Sequence, residues 1–217
     1  MSVVILHLET ATKVCSVALS SDGKLVACKE CSSDSFIHAE SLTLFIEEAL
    51  ASANLKIETL SAVSISSGPG SYTGLRIGVS TAKGLCFGLQ IPLIEIPTLD
   101  SLIEIGKIRN STKNLLAVID ARRMEVYSVI QNSKGEVLKD LSADIVDETS
   151  YSNFEPLVCF GDGLPKLKEL WVNRTISFEE DIHCSAKGQV LLAYSKFLAG
   201  DFKDVSNFTP TYLKEFQ

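Results

Sequence analysis

Two stretches of this 217-residue chain follow one pattern, and that repetition constrains the fold more than any other feature. Val3 to Leu8 reads as a strand ending in Glu9-Thr10-Ala11-Thr12. A second strand runs Val14 to Leu19, and a Ser21-Asp22-Gly23 turn leads to a third, Lys24 to Cys31. The pattern returns when apolar Leu115 to Ile119 ends in Asp120-Ala121-Arg122-Arg123. Glu125 to Ile130 then alternates, and Asn132-Ser133-Lys134-Gly135 turns into Glu136-Val137-Leu138. Cys15-Ser16-Val17 aligns with Tyr127-Ser128-Val129, and Gly23 with Gly135. Asp-Gly between alternating apolar runs is a strong hairpin signal. Each copy is therefore an antiparallel meander whose first strand ends in a carboxylate.

Between the copies helices and strands alternate. His38 to Ala53 places Leu42, Phe45, Ile46, Ala49, Leu50 and Ala53 at helical spacing. Ala62 to Ser66 reads as a strand, Thr73 to Gly88 as a helix, Leu93 to Ile96 as a strand and Thr98 to Ile105 as a helix. Three antiparallel strands followed by helix, strand, helix, strand is the RNase H-like order. Two such lobes in tandem give the α/β architecture of the actin-like ATPases, with lobes expected at residues 1–106 and 107–217. The second is expected to be abbreviated, because helical signals weaken after Leu138. They return at Ser185 to Leu198, where Ser185 can serve as N-cap. A Pro210-Thr211-Tyr212-Leu213 tail is short enough to pack back onto the body.

Composition narrows the function classes. The hydrophobic fraction is 46% and the charged fraction 22%, ordinary for a globular chain. No window approaches the ~18–20 apolar residues of a membrane span. The N-terminus goes straight into a strand-like run without a basic leader, so a cytoplasmic location is expected. A net charge of −7 argues against a large nucleic-acid footprint, and any role near RNA is expected to pass through a partner. The six cysteines are expected as reduced thiols, and Cys28-x-x-Cys31 has no second pair to complete a metal site.

The glycine-rich run Ser67-Gly68-Pro69-Gly70-Ser71-Tyr72-Thr73-Gly74-Leu75-Arg76-Ile77-Gly78 resists two standard readings. A P-loop needs a glycine where Leu75 stands, with a lysine after it. A nucleophile elbow needs glycines two residues either side of Ser71, where Pro69 and Thr73 stand. A strand-to-helix turn remains, capped by Ser71 or Thr73. Gly74, Gly78, Gly84 and Gly88 inside the helix cost roughly 3–4 kcal/mol together against alanine. Gly74, Gly78, Thr81, Leu85 and Gly88 form a stripe that lets another backbone approach, while Arg76, Ser80 and Lys83 share the opposite side. That neighbour is either the lobe's own sheet or a second chain. An anion site at the helix start is a third option.

The run Gly-Pro-Gly-Ser-Tyr-Thr-Gly-Leu-Arg-Ile-Gly-Val, followed by Ala82-Lys83-Gly84-Leu85, resembles the signature of the TsaB (YeaZ) family. So do Glu9-Thr10-Ala11-Thr12 with Cys15-Ser16-Val17-Ala18-Leu19, and Ile91-Pro92-Leu93. Ile119-Asp120-Ala121-Arg122, Gly161-Asp162-Gly163 and Pro210-Thr211-Tyr212-Leu213 also fit. The resemblance spans essentially the whole chain. It implies a non-catalytic dimerisation or scaffold subunit that stabilises TsaD, the catalytic paralogue, and works with the ATPase TsaE to modify adenosine 37 of tRNA. It also implies a homodimer in isolation and no membrane contact. Pairing through the first two helices implies an interface at His38, Leu42, Phe45, Gly74, Arg76, Gly78, Thr81, Ala82 and Leu85. Many members carry Asp where this chain has Glu9.

Catalysis is not expected of this chain. The H-x-x-x-H metal motif of the related catalytic subunit has Leu42 where its second histidine would stand after His38. His7 and His183 have no ligand partners at suitable spacing, so no metal site is expected. The turns where the actin-like cleft grips phosphates, here at Glu9, Thr10 and Asp120, contain no glycine and read as vestigial. ATP or ADP with Mg2+ is expected only at the level of a complex. The alternative is a stand-alone metallopeptidase or ATPase of the same superfamily.

Overall fold

The computed structural model describes residues 2–32, 38–109 and 112–214, with backbone alone at His38 and Ala39. The chain forms two compact units. The first is Met1–Ser101 with Cys184–Thr211; the second is Leu102–His183 with Tyr212–Gln217.

In the first unit β1 (Val4–Glu9) pairs antiparallel with β2 (Val14–Ser21), which pairs antiparallel with β3 (Lys24–Ser32). On its other edge β1 runs parallel to β4 (Ala62–Ser66), and β4 runs parallel to β5 (Leu93–Ile96). The order is β3-β2-β1-β4-β5. Every residue of β1 and β4 is buried, the mark of strands covered on both faces. One face packs Leu6, Leu8, Cys15, Val17 and Ile65 under α1 (His38–Ser52) and α2 (Tyr72–Leu89). The opposite face packs Ile5, Ala62, Ile94 and Ile96 against Ala193 of α5 (Val190–Ala199).

That second face explains a difference from the expected lobes of 1–106 and 107–217. The central strands carry apolar residues on both sides, and the helices between them cover only one. α5, late in the sequence, supplies the other cover, so residues 184–211 join the first unit. The tail then follows the same unit. Lys203 bridges to Leu93, Lys83 Nζ donates to the carbonyls of Ser206 (3.0 Å) and Phe208 (3.2 Å), and Thr211 N donates to Ser67 O at 2.7 Å.

The second unit repeats the topology. β6 (Asn114–Asp120) lies between β7 (Glu125–Gln131), antiparallel, and β9 (Leu157–Phe160), parallel; β8 (Val137–Ile145) and β10 (Ile176–Glu179) form the edges. The order β10-β9-β6-β7-β8 mirrors the first sheet. α3 (Thr98–Arg109) enters this unit from the first. The abbreviation falls on helices, not strands: where α1 stands in the first unit, a single 3-10 turn at Ser152–Phe154 suffices, and α4 (Leu164–Leu170) is short. Trp171, fully buried, fills the core with Leu116, Val118, Leu157 and Leu167.

Candidate partner surface and strand-end turns

Of the two expected caps of α2, Ser71 is the one used, accepting from Gly74 N at 3.2 Å. Its glycines do not share one environment. Gly74 and Gly78 are buried. A Cβ on Gly78 would meet Thr10 Oγ1 at 2.3 Å and Ile65 Cδ1 at 2.8 Å, both within the same unit. Gly84 and Gly88 face solvent, with nothing within 4 Å of a Cβ on either. The exposed stripe is Thr73, Arg76, Ser80, Gly84, Phe87 and Gly88.

The residues of the expected interface therefore occupy different environments in the isolated chain. Leu42, Gly74, Gly78 and Ala82 are internal packing residues of the unit. Phe45, Thr81 and Leu85 are half-buried, and Thr81 Oγ1 returns to Ile77 O at 3.0 Å. Arg76 is exposed, its guanidinium 3.7 Å from the Tyr72 ring centroid. The side chain of His38 lies outside the described residues. A helix on a sheet buries one side, and the hydrophobic spacing of α2 shows which residues are apolar but not that small Gly78 belongs beneath rather than outside. Phe87, 74% exposed, and Leu44 of α1, 50% exposed, were absent from the expected set and are large exposed apolar side chains of these two helices.

The two strand-end acids differ. Glu9 is fully buried: Ser66 Oγ donates to Oε2, and Ala11 N donates to Oε1 at 2.8 Å. Burial pushes its carboxyl up to about 7 against those hydrogen bonds. The turn beyond it is closed by α2, since Ser71 N donates to Ala11 O at 2.6 Å. Thr10 Oγ1, buried against Gly78, has no hydrogen-bond partner. A divalent cation with phosphates does not fit here, because the carboxylate oxygens are committed inward. Asp120, by contrast, is exposed and pairs with Lys166 Nζ at 2.7 Å. The turn it starts holds Arg122 (φ 67°) and Arg123 (φ 48°) in the left-handed region, a strain of about 1–2 kcal/mol for each.

Sequence reasoning missed a buried polar chain behind Glu9. His7, fully buried, contacts Ser64 Oγ and Ser20 Oγ, each at 2.7 Å. Ser64 Oγ donates to Gln189 Oε1 at 2.7 Å; Gln189 Nε2 donates to Leu8 O at 2.7 Å and to Ser66 Oγ at 2.9 Å. Burial lowers the His7 pKa to about 3. The alternation of small serines with apolar residues in β4 was the only available signal.

Among the described residues no group of three or more His, Cys, Asp or Glu is placed to hold a metal ion. All six cysteines are free thiols. Burial pushes Cys28 up to about 11 and Cys15 up to about 12, away from thiolate chemistry. Among the described residues no helix is long and apolar enough to cross a membrane.

Two sheets of identical order, each with three antiparallel strands continued by two parallel ones, define the actin-like ATPase fold class. Consistently, the fold matches YeaZ from Pseudomonas aeruginosa with a TM-score of 0.81 at 24% identity, over 97% of this chain and 100% of that one. It also matches the activator of the 2-hydroxyisocaproyl-CoA dehydratase from Clostridium difficile, TM-score 0.53 at 11% identity, over 94% of this chain and 99% of that one. A family model described as TsaD, tRNA N6-adenosine threonylcarbamoyltransferase, matches residues 34–215. The chain belongs to that family, in its TsaB (YeaZ) branch. The tRNA threonylcarbamoyladenosine biosynthesis protein TsaB of Escherichia coli is 36% identical over 124 residues, 57% of this chain and 52% of that protein. That of Buchnera aphidicola from Schizaphis graminum is 28% identical over 173 residues, 79% and 78% of the two chains. The match spans about half the length of the first of these relatives.

Proposed function

We propose that this chain is a non-catalytic scaffold subunit in the tRNA N6-threonylcarbamoyladenosine transferase complex, holding the catalytic TsaD subunit in its competent conformation. The observation that carries this reading is the outer face of α2. Gly84 sits inside the helix and Gly88 in its last turn, neither with any internal contact that needs a missing side chain, and Phe87 stands exposed between them. A helix that accepts about 1 kcal/mol of propensity loss at Gly84 with no internal return suits close approach by another backbone. α1, packed beside α2, adds Leu44. The inward commitment of Glu9 favours a subunit that leaves nucleotide and Mg2+ to the complex, with TsaE as its ATPase. The same surface serves a homodimer when TsaD is absent.

The test is co-purification with TsaD of Gly84→Arg and Phe87→Glu. Both positions are exposed, so the isolated chain stays folded with a melting temperature no lower than wild type, while heterodimer yield drops at least about tenfold. Undiminished yield with either variant removes the interface. The alternative, a stand-alone metallopeptidase or ATPase, predicts stoichiometric zinc or iron, or micromolar ATP binding, by the purified chain.

A further inference from the structure

The turn after β6 carries a feature that its counterpart after β1 lacks. No residue of Thr10–Lys13 has left-handed backbone, whereas Arg122 and Arg123 both do, in succession. Such strain persists only where the surroundings over-determine it, and here they do. Lys166 Nζ donates to Asp120 Oδ1 at 2.7 Å, Arg123 O at 2.6 Å and Glu125 O at 2.9 Å. Arg122 N donates to Asp120 Oδ1 at 2.6 Å, and Asp120 N donates to Asp162 Oδ1 at 3.0 Å. Lys214 Nζ pairs with the Glu125 carboxylate and reaches Ala121 O at 3.3 Å. Each carboxylate at the turn is engaged by a lysine or a backbone amide. The two arginines are exposed, and neither guanidinium forms an ion pair or side-chain hydrogen bond among the described residues.

We propose that Arg122 and Arg123, carried on a fixed backbone turn, form a phosphate clamp that touches the RNA backbone directly, resting on the tRNA reading above. Guanidinium forks match phosphate oxygens in a bidentate geometry. Two of them on adjacent Cα atoms about 3.8 Å apart bracket one phosphate or reach two successive ones. The lysines that would otherwise compete for phosphate neutralise the local acids instead. With a net charge of −7 the rest of the chain repels a polyanion. The contact therefore orients RNA locally and reads no sequence, in contrast to the purely indirect role that net charge alone suggests.

The experiment is anisotropy titration of a labelled tRNA transcript, with the TsaD complex and with the chain alone, between roughly 50 and 200 mM salt. Arg122→Asn/Arg123→Asn removes both charges while tolerating left-handed backbone, and its melting temperature verifies folding. The expected result is an affinity loss of at least about tenfold, with the slope of log K against log salt falling in magnitude by about 1–2. A charge-matched control, Lys56→Gln/Arg109→Gln, leaves both unchanged. Unaltered affinity and slope in the folded Asn variant overturn the clamp. A loss confined to ADP or inorganic phosphate assigns it to a mononucleotide, and lost co-purification with TsaD assigns it to protein; either overturns the RNA contact. Failure of the scaffold reading is distinguishable, because there the wild-type chain itself does not co-purify with TsaD.

Discussion

The carbonyl oxygen of Ala11 accepts a hydrogen bond from the amide of Ser71 at 2.6 Å, which stitches the turn after β1 to the start of α2. Gly70 lies against that stitch, where a Cβ would stand 2.3 Å from the same oxygen. Backbone cannot rotate aside as a side chain can. Gly70→Ala should therefore destabilise the chain by about 1–3 kcal/mol, the range for overpacking. Urea unfolding measures it, and an unmoved midpoint refutes the close approach.

Inside α2 the glycines predict opposite outcomes. Gly84→Ala and Gly88→Ala meet open space and should each stabilise the isolated chain by up to ~1 kcal/mol through helix propensity. Gly78→Leu must displace Thr10 and Ile65 and should cost several times more than it gains, a loss of about 3 kcal/mol or more. Thermal melts of the three variants decide the matter. Stabilisation by Gly78→Leu would place this glycine outside the core.

Glu9 and His7 give the first unit two opposed pH dependences. Glu9 titrates at about 7 when folded, above its ordinary 4.5. Its contribution is complete below about 4.5 and is lost as pH rises to about 7, a change on the order of 3 kcal/mol. His7 titrates at about 3 when folded, below its ordinary 6.5. Its contribution is complete above about 6.5 and is lost as pH falls toward 3. The slopes oppose each other between 4.5 and 6.5, and only Glu9 acts just above that interval. Glu9→Gln mimics the protonated acid, so it should abolish the stability loss on approaching neutral pH. Denaturant midpoints across this range check it, and a variant that keeps the wild-type decline contradicts the assignment.

Gln189 closes the polar chain between Ser64, Ser66 and the Leu8 carbonyl. Gln189→Leu keeps the volume but leaves those groups buried with fewer partners. The expected cost is about 2–3 kcal/mol or more, with earlier amide exchange in β1 and α5. Wild-type exchange rates in both elements would show that the chain of hydrogen bonds contributes little.

The duplicated meander was legible because its signals are local: alternation, hairpin glycines and a terminal acid. The matched serines occupy equivalent places, with Ser16 opposite Glu30 and Ser128 opposite Ser142. Each donates to a third-strand carboxylate, Glu30 at 3.1 Å and Asp144 at 2.6 Å. The strands β9 and β10 were not legible, since four-residue runs with short helices carry too little periodicity. Nor was the side of α2 on which Gly78 falls, because a glycine reads the same whether its own sheet or another molecule lies against it. The pairing of α5 with the first sheet depends on residues far apart in sequence, which no local pattern announces.

Because residues 184–211 complete the first unit, synthesis from the N-terminus delivers its missing piece last. On the ribosome β1, β4 and β5 emerge with one apolar face bare and with Ser64, Ser66 and His7 awaiting Gln189. The second unit, contiguous apart from its final residues, can close before the first. The earlier-begun unit of this chain therefore cannot be finished until nearly the whole sequence has been made.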